Sequence, residues 1–331
     1  MSKIEQVKTY TGRDLETIFF RPMLSGPDAE ALGIKVMYNM PVPTTLHFWK
    51  RSGDILQKFT AGGWQGAAPA DRYQKTIDLQ RVKAEAGYGA EDYFNLVYEQ
   101  ISNRPEVNME DLSGTELEAA ETELFRSAVA ESIRATMWLG DTARTQEGAG
   151  LNTFDGFIKR ITADIAAGET GISHFTIAES GTDSWAEAVL KKLWDNASDM
   201  LKAFKPQGNL VYLVTSDIYA EYEEALDSVV LDSAYLAKQN GREGLSFRGI
   251  PVVDVRVSEY LAGLTDLPAS FAILTDRRNL ALAVNTSDFP GTEVRMWYNP
   301  DQMENRQRAV FMAGCDYLLP ELVSFAAAAV E

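Results

Sequence analysis

The closing eighty-odd residues constrain the fold most strongly. Residues 247–257 read FRGIPVVDVRV, and residues 271–284 read FAILTDRRNLALAV. Residues 295–301 read RMWYNPD, and residues 306–323 read RQRAVFMAGCDYLLPELV. These are apolar, β-branched runs of strand length, broken by short polar, Gly- or Pro-containing turns. They predict a set of strands joined by short loops and carry no recognisable catalytic apparatus.

The rest of the chain is consistent with a large folded body. A length of 331 residues, 45% of them hydrophobic, can bury a substantial core and hold more than one domain. No apolar run approaches the roughly 20 residues needed to span a bilayer. The start, MSKIEQVK, lacks the apolar centre of a secretory signal, so the expectation is a cytosolic product with no membrane partner. A net charge of -17 opposes binding along duplex DNA, which requires a positive field. It is compatible with an acidic wall along which enclosed DNA slides.

Residues 1–39 contain RPMLSGP at 21–27, and the segment after them opens on the Pro-rich run at 39–43. These Pro and Gly residues break a continuous helix and predict an extended arm. Residues 44–60 read as a β-hairpin that turns at Ser52-Gly53-Asp54. The Gly/Ala/Pro stretch 61–70 reads as loop. Residues 73–85 read as one long strand whose apolar alternation, Ile77 and Leu79, shifts by Val82. A poorly covered hairpin of this length calls for a partner surface.

Residues 90–102 read as a helix. The strongest helix follows: Ser113 and Glu116 fit a capping box, and no Gly or Pro interrupts Glu116 to Leu139. Leu117, Ala120, Leu124 and Ala128, with Phe125, Val129 and Ile133, predict its buried stripe. Gly140 is expected to stop it as a C-terminal cap. A shorter helix is predicted from Phe154 to Ile161. A second capping box, Ser184 with Glu187, predicts a helix to about Phe204. Residues 209–215 predict a buried strand, after which Ser216 opens an acidic helix to about Asp227.

Each group that could carry chemistry has a simpler structural reading. Glu221, Glu223, Glu224 and Asp227 suit a solvated acidic helix face better than a metal site. His47 and His174, the only two histidines, sit among apolar neighbours and read as packed or interface residues. Cys315, the single cysteine, lies in an apolar run and reads as a buried inert thiol. Gly62, Gly63 and Gly66 form no phosphate loop, because no Lys or helix follows directly. Arg277-Arg278 reads as a turn, with an intersubunit charge contact as the functional alternative. No catalytic, cofactor-binding or metal-binding residue is therefore predicted, and no cofactor.

In order, these pieces resemble the Hong Kong ninety-seven-type fold of tailed-phage major capsid proteins. TSDIYAEY at 215–222 resembles the strand-to-helix corner of that family's axial domain. FRGIPVV at 247–253 and AILTDRRNL at 272–280 resemble its F-x-G-I-P-V-V and I-L-T-x-x-x-N-L wording. VFMAGCDYLLPELV at 310–323 resembles the return strand of its peripheral domain. The specific part covers about 184–325; the N-terminal 110 residues match in layout alone. The resemblance implies an α+β fold with an arm (1–39), an extended-loop hairpin (40–86) and an axial domain (170–289). It implies a peripheral domain from 87–169 and 290–331, with a spine helix at about 115–139.

It further implies a structural, non-enzymatic shell protein of a phage or prophage, made in the bacterial host cytoplasm and resident in the virion. Its partner would be itself, in pentamers and hexamers that close into an icosahedral head around double-stranded DNA. Scaffolding, portal and decoration proteins are further possible partners, and DNA would be contacted non-specifically. No covalent crosslink is carried over to Lys50, Lys58 or Lys75. An encapsulin-type nanocompartment, an α/β enzyme and a minor virion or tail protein remain as alternatives.

Overall fold

The computed structural model describes residues 8–10, 32–38, 44–51, 70–89, 116–145, 150–177, 184–228, 244–264, 266–285, 293–299, 301–302 and 304–329. Two mixed sheets and a separate hairpin account for the strands. In chain order these are β1 (Lys8–Tyr10), β2 (Lys35–Tyr38), β3 (Thr44–Arg51), β4 (Ala70–Ile77) and β5 (Gln80–Gly89). Next come α1 (Glu116–Leu139), α2 (Phe157–Ala166), β6 (Ser173–Ile177), α3 (Trp185–Asn196), α4 (Asp199–Ala203), β7 (Leu210–Val214) and α5 (Ser216–Ser228). The closing third holds β8 (Leu245–Phe247), β9 (Ile250–Asp254), α6 (Ser258–Leu261), β10 (Phe271–Asp276), β11 (Leu280–Asn285), β12 (Glu293–Asn299), β13 (Glu304–Tyr317) and β14 (Val323–Ala328).

The first sheet is organised by β13. Val310 pairs with both Glu293 of β12 and Lys83 of β5, so those strands flank it on opposite edges. Met312 likewise pairs with both Arg81 of β5 and Asn285 of β11. One edge of β13 therefore carries β5, and the other carries β12 and then β11. β1 extends this sheet beyond β12, and β2 joins β11 in parallel. The second sheet has the order β6-β14-β10-β7-β9-β8. The chain thus passes between the sheets from β10 to β11 and again from β13 to β14.

Alternation decides what each strand face meets. Leu280, Leu282 and Val284 of β11 enter the main core beside Phe311, Ala313 and Cys315 of β13. Ala281 and Ala283 face the other way, with Met37, Ile77, Leu79 and Met312. β7 is buried on both faces: Val211 and Leu213 join the main core, while Leu210, Tyr212 and Val214 meet α3 and α5. Its continuous apolar run has this cause. Trp138, fully buried near the end of α1, packs on Phe157 of α2 at 5.2 Å and on Phe271 of β10 at 6.1 Å.

Several sequence expectations hold: the long helix, the helix after Phe154, the buried strand at 210–214 and the turn at Arg277-Arg278, which is a single 3-10 turn. Others need correction. The partner of β3 is β4, in a register from Thr44↔Ile77 to Arg51↔Ala70, and the turn expected at Ser52-Gly53-Asp54 lies outside the described residues. The single strand expected over 73–85 is two strands that break at Asp78-Leu79 and pair with different partners. The shift in apolar alternation marks that corner, because Ile77, Leu79 and Val82 are all buried.

The Ser184–Glu187 capping box is not made: Ser184 is left-handed (φ 67°) and its side chain caps nothing. The helix expected to Phe204 divides instead, and Ser198 Oγ caps α4 by accepting from Leu201 N at 3.1 Å. Ser216 does begin α5, but its hydroxyl donates to Asp254 at 2.9 Å. The predicted helix at 90–102, the Ser113 cap and the glycines at 62, 63 and 66 lie outside the described residues.

Two glycines show why residue type alone does not reveal a glycine's role. Gly140 is not the left-handed cap its position suggests; a Cβ there would sit 2.2 Å from Phe154 O and 2.6 Å from Thr136 O. Its role is close backbone approach. Gly249, with Arg248 at φ 52° and itself at φ 77°, forms the two-residue connection between the paired Phe247 and Ile250. Both central residues lie at positive φ, the geometry of a type I′ hairpin turn. Nothing lies within 4 Å of a Cβ on Gly249. Gly249→Ala should therefore cost only the left-handed penalty, about 1 kcal/mol, read as a small fall in thermal midpoint with unchanged far-UV circular dichroism.

Candidate assembly surface

The residues that could serve assembly lie on the hairpin and on the body beside its root. Among the described residues β3 and β4 pair only with each other, in a sheet of two strands. An isolated two-stranded ribbon is marginal by itself, so its root must be held by the body. Residues 312, 314 and 316 share one face of β13 and meet that root in three ways. Met312 packs with Ile77 and Leu79. Gly314 makes room for the corner, since a Cβ there would lie 2.2 Å from Asp78 O. Asp316 faces Lys75 of β4, with Nζ 3.5 Å from its carboxylate.

This last contact is embedded in a polar group. Asp316 is 1% exposed, and burial raises its carboxyl above the usual value, with Lys75, Arg160 and the Tyr317 amide opposing. Lys75 Nζ also lies 3.7 Å from Asp164 of α2 and 4.5 Å from the centre of the Tyr317 ring. The Tyr317 hydroxyl donates to Asp164, and burial followed by that bond drives the phenol well above its ordinary range. None of these four residues stands out in the sequence as a group. The only local sign is Asp316 in an otherwise apolar run, opposite a strand that changes phase.

Beside the root, α1 runs over β5. Phe125, Val129 and Ile133 are buried as expected, but Leu124 is 62% exposed and Ala128 is open to solvent. The predicted stripe is thus narrower than the sequence suggests. A groove of about 330 Å³ lies between helix and strand, with Val82, Ala84, Phe125, Ala128 and Phe311 among its lining residues. Lys83 and Glu85 on its rim pair at 2.7 Å, and Arg308 reaches Glu85 at 2.7 Å. The Lys83 bond, against some desolvation and with help from Arg308, holds Glu85 below the usual carboxylate range.

The groups weighed for chemistry stay apart. Cys315 is fully buried, its thiol donating to Asp155 O at 3.3 Å, and burial then the Asp316 charge push its ionisation far up. That agrees with an inert thiol. His174 is exposed on β6, and His47 lies in β3 opposite Gln74. Glu223 and Glu224 are exposed on α5, in agreement with a solvated face. Arg278 pairs with Asp276 at 2.7 Å within its own turn. Among the described residues no three acidic, His or Cys side chains converge on a metal position. No helix among them is long and apolar enough to cross a membrane.

The two mixed sheets, the long helix and the rooted hairpin define an α+β fold seen in solved capsid structures. The chain superposes on a chain of the satellite phage P4 procapsid, a structure that includes the size determination (Sid) protein, with a TM-score of 0.57. That alignment has 10% identity and covers 96% of this chain and 92% of the other. A chain in the capsid of the native GTA particle gives 0.55 at 14% identity, over 92% and 91%. A chain from Mycobacterium phage Che8 gives 0.50 at 13% identity, over 98% and 94%. The fold is the tailed-phage major-capsid fold. No family model matches the sequence, and no curated protein matches it.

Proposed function

We propose that this chain is the major capsid protein of a tailed bacteriophage or prophage. It forms pentamers and hexamers that close into an icosahedral head around double-stranded DNA, and its role is structural, without catalysis. The observation that carries this reading is whole-chain superposition on a GTA capsid chain and on a P4 procapsid chain. Physical sense agrees: among the described residues β3–β4 pairs with no further strand, and a repeated contact between identical subunits would cover such a ribbon.

On this reading β3–β4 belongs to the extended loop (40–86), α1 is the spine helix and residues 1–39 are the arm. Residues 170–289 form the axial domain, and 87–169 with 290–331 the peripheral domain. The strand exchange qualifies this division, because β11 pairs with peripheral strands and β14 with axial ones. Scaffolding, portal and decoration proteins would be further partners, and the mature location is the virion.

The test is a hairpin deletion. His47 and Gln74 are paired, so residues 48–73 can be replaced by an Asn-Gly turn that keeps the root intact. The full chain should yield shells by negative-stain microscopy, and nuclease-protected DNA when they are isolated from phage-producing cells. The shortened chain should stay folded and form no closed shells. Shells of undiminished yield from the shortened chain, or a full chain that stays monomeric under all assembly conditions, would overturn the proposal.

A further inference from the structure

The buried ion pair at the hairpin root has a consequence independent of what the hairpin touches. Asp316 is almost wholly shielded from solvent, and among the described residues Lys75 is the cation paired with it. Among the described residues, other groups also bear on it. Arg160 of α2 contributes at longer range, the Tyr317 amide donates at 2.8 Å, and Cys315 is its neighbour on β13. Ala281, opposite on β11, brings no charge. Asp164 and Glu169 act on Tyr317 and, in the case of Asp164, on Lys75.

Above the corner the ribbon is held by this contact and by Leu46 of β3, which lies opposite Lys75 and packs against the apolar group that includes Met312, while the corner itself is fixed by Ile77, Leu79 and the Gly314 clearance. The two restraints differ in kind: packing at Ile77 and Leu79 ignores pH, and the ion pair does not. We infer that Lys75 and Asp316 form an acid-released latch that sets the direction in which the β3–β4 hairpin leaves the body, with Asp78-Leu79 as its pivot. Asp164 and Tyr317 seat the lysine; Asp316 decides whether it is held.

The pH direction follows from burial. A carboxyl whose folded value is raised favours the folded state when protonated, a contribution present below the ordinary carboxylate range and lost as pH rises through the raised value. Acidification through that window therefore relieves the body of a buried charge while it frees Lys75. For this residue, hairpin release and body stability move in opposite directions. Loosening of the hairpin in mild acid is thus separable from acid unfolding.

Intramolecular spin labels test this in the isolated full-length subunit, diluted with unlabelled chain. Cys315 is buried, so labels at Asp71→Cys and Ser127→Cys report the hairpin against α1. At neutral pH a single narrow distance peak is expected, and in mildly acidic buffer that peak should be lost while near-UV circular dichroism is retained. Asp316→Asn should lose the narrow peak at both pH values without a lower thermal midpoint. Lys75→Met should lose it at both as well. A wild-type peak that stays narrow in acid, or an Asp316→Asn peak that is narrow at neutral pH or still responds to acid, would overturn the latch. Whether shells form does not enter this readout, so its failure leaves the assembly proposal standing.

Discussion

Trp138→Ala is expected to cost about 4 kcal/mol of folding free energy, with a fall in thermal midpoint on the order of 10 °C. The indole is fully buried where α1, α2 and β10 meet. It stacks on Phe271 with an interplanar angle of 29° and meets Phe157 at 59°. Removing it opens a cavity bordered by a helix on one side and a central strand of the second sheet on the other. Both neighbours are themselves fully buried and anchored in their own elements, so the gap cannot close. Trp138→Phe keeps much of the ring and should cost about 1.5 kcal/mol. Leu124→Ala is the control: at 62% exposure on the same helix, it should change stability by no more than about 0.5 kcal/mol. Equal losses for Trp138→Ala and Leu124→Ala would contradict the packing described.

Gly314→Ala is the second large effect, about 3 kcal/mol. The added Cβ would lie 2.2 Å from Asp78 O and 3.2 Å from Asp78 C, both main-chain atoms. No rotamer change relieves a backbone clash. Retreat of Asp78 is resisted on both sides, because Ile77 is fully buried and Leu79 is 7% exposed. Strain should therefore appear at the hairpin root before it spreads. Hydrogen exchange should rise in β4 and at the start of β5, with the second sheet unaffected. Gly249→Ala, in open space, should show neither effect; the contrast separates close approach from backbone freedom as reasons for glycine.

Much of the local structure was legible in order and pattern. Helix α1 follows from its uninterrupted helix-forming run, and β7 from five consecutive apolar residues. The wording at 247–253 and 272–280 pointed to the fold because it encodes turns and core strands, which are local matters. The root of the hairpin was less legible. The phase shift at Val82 was visible, yet which strands it separated depended on β3 finding β4 and β5 finding β13, contacts between segments far apart in the chain. Ser184 and Glu187 had the spacing of a cap, but the left-handed entry to α3 prevented it.

The sequence by itself determined helix α1, strand β7, the acidic net charge and the burial of Cys315, because propensity, period and composition act over neighbouring residues. Tertiary structure alone decided that Gly140 and Gly314 are contact glycines, that Leu124 and Ala128 stay open over a groove, and that Lys75 meets Asp316. Each of those depends on which distant backbone or side chain arrives within a few ångströms. A one-dimensional pattern carries periodicity but not the meeting of two distant segments, and at this hairpin root that meeting sets the chemistry.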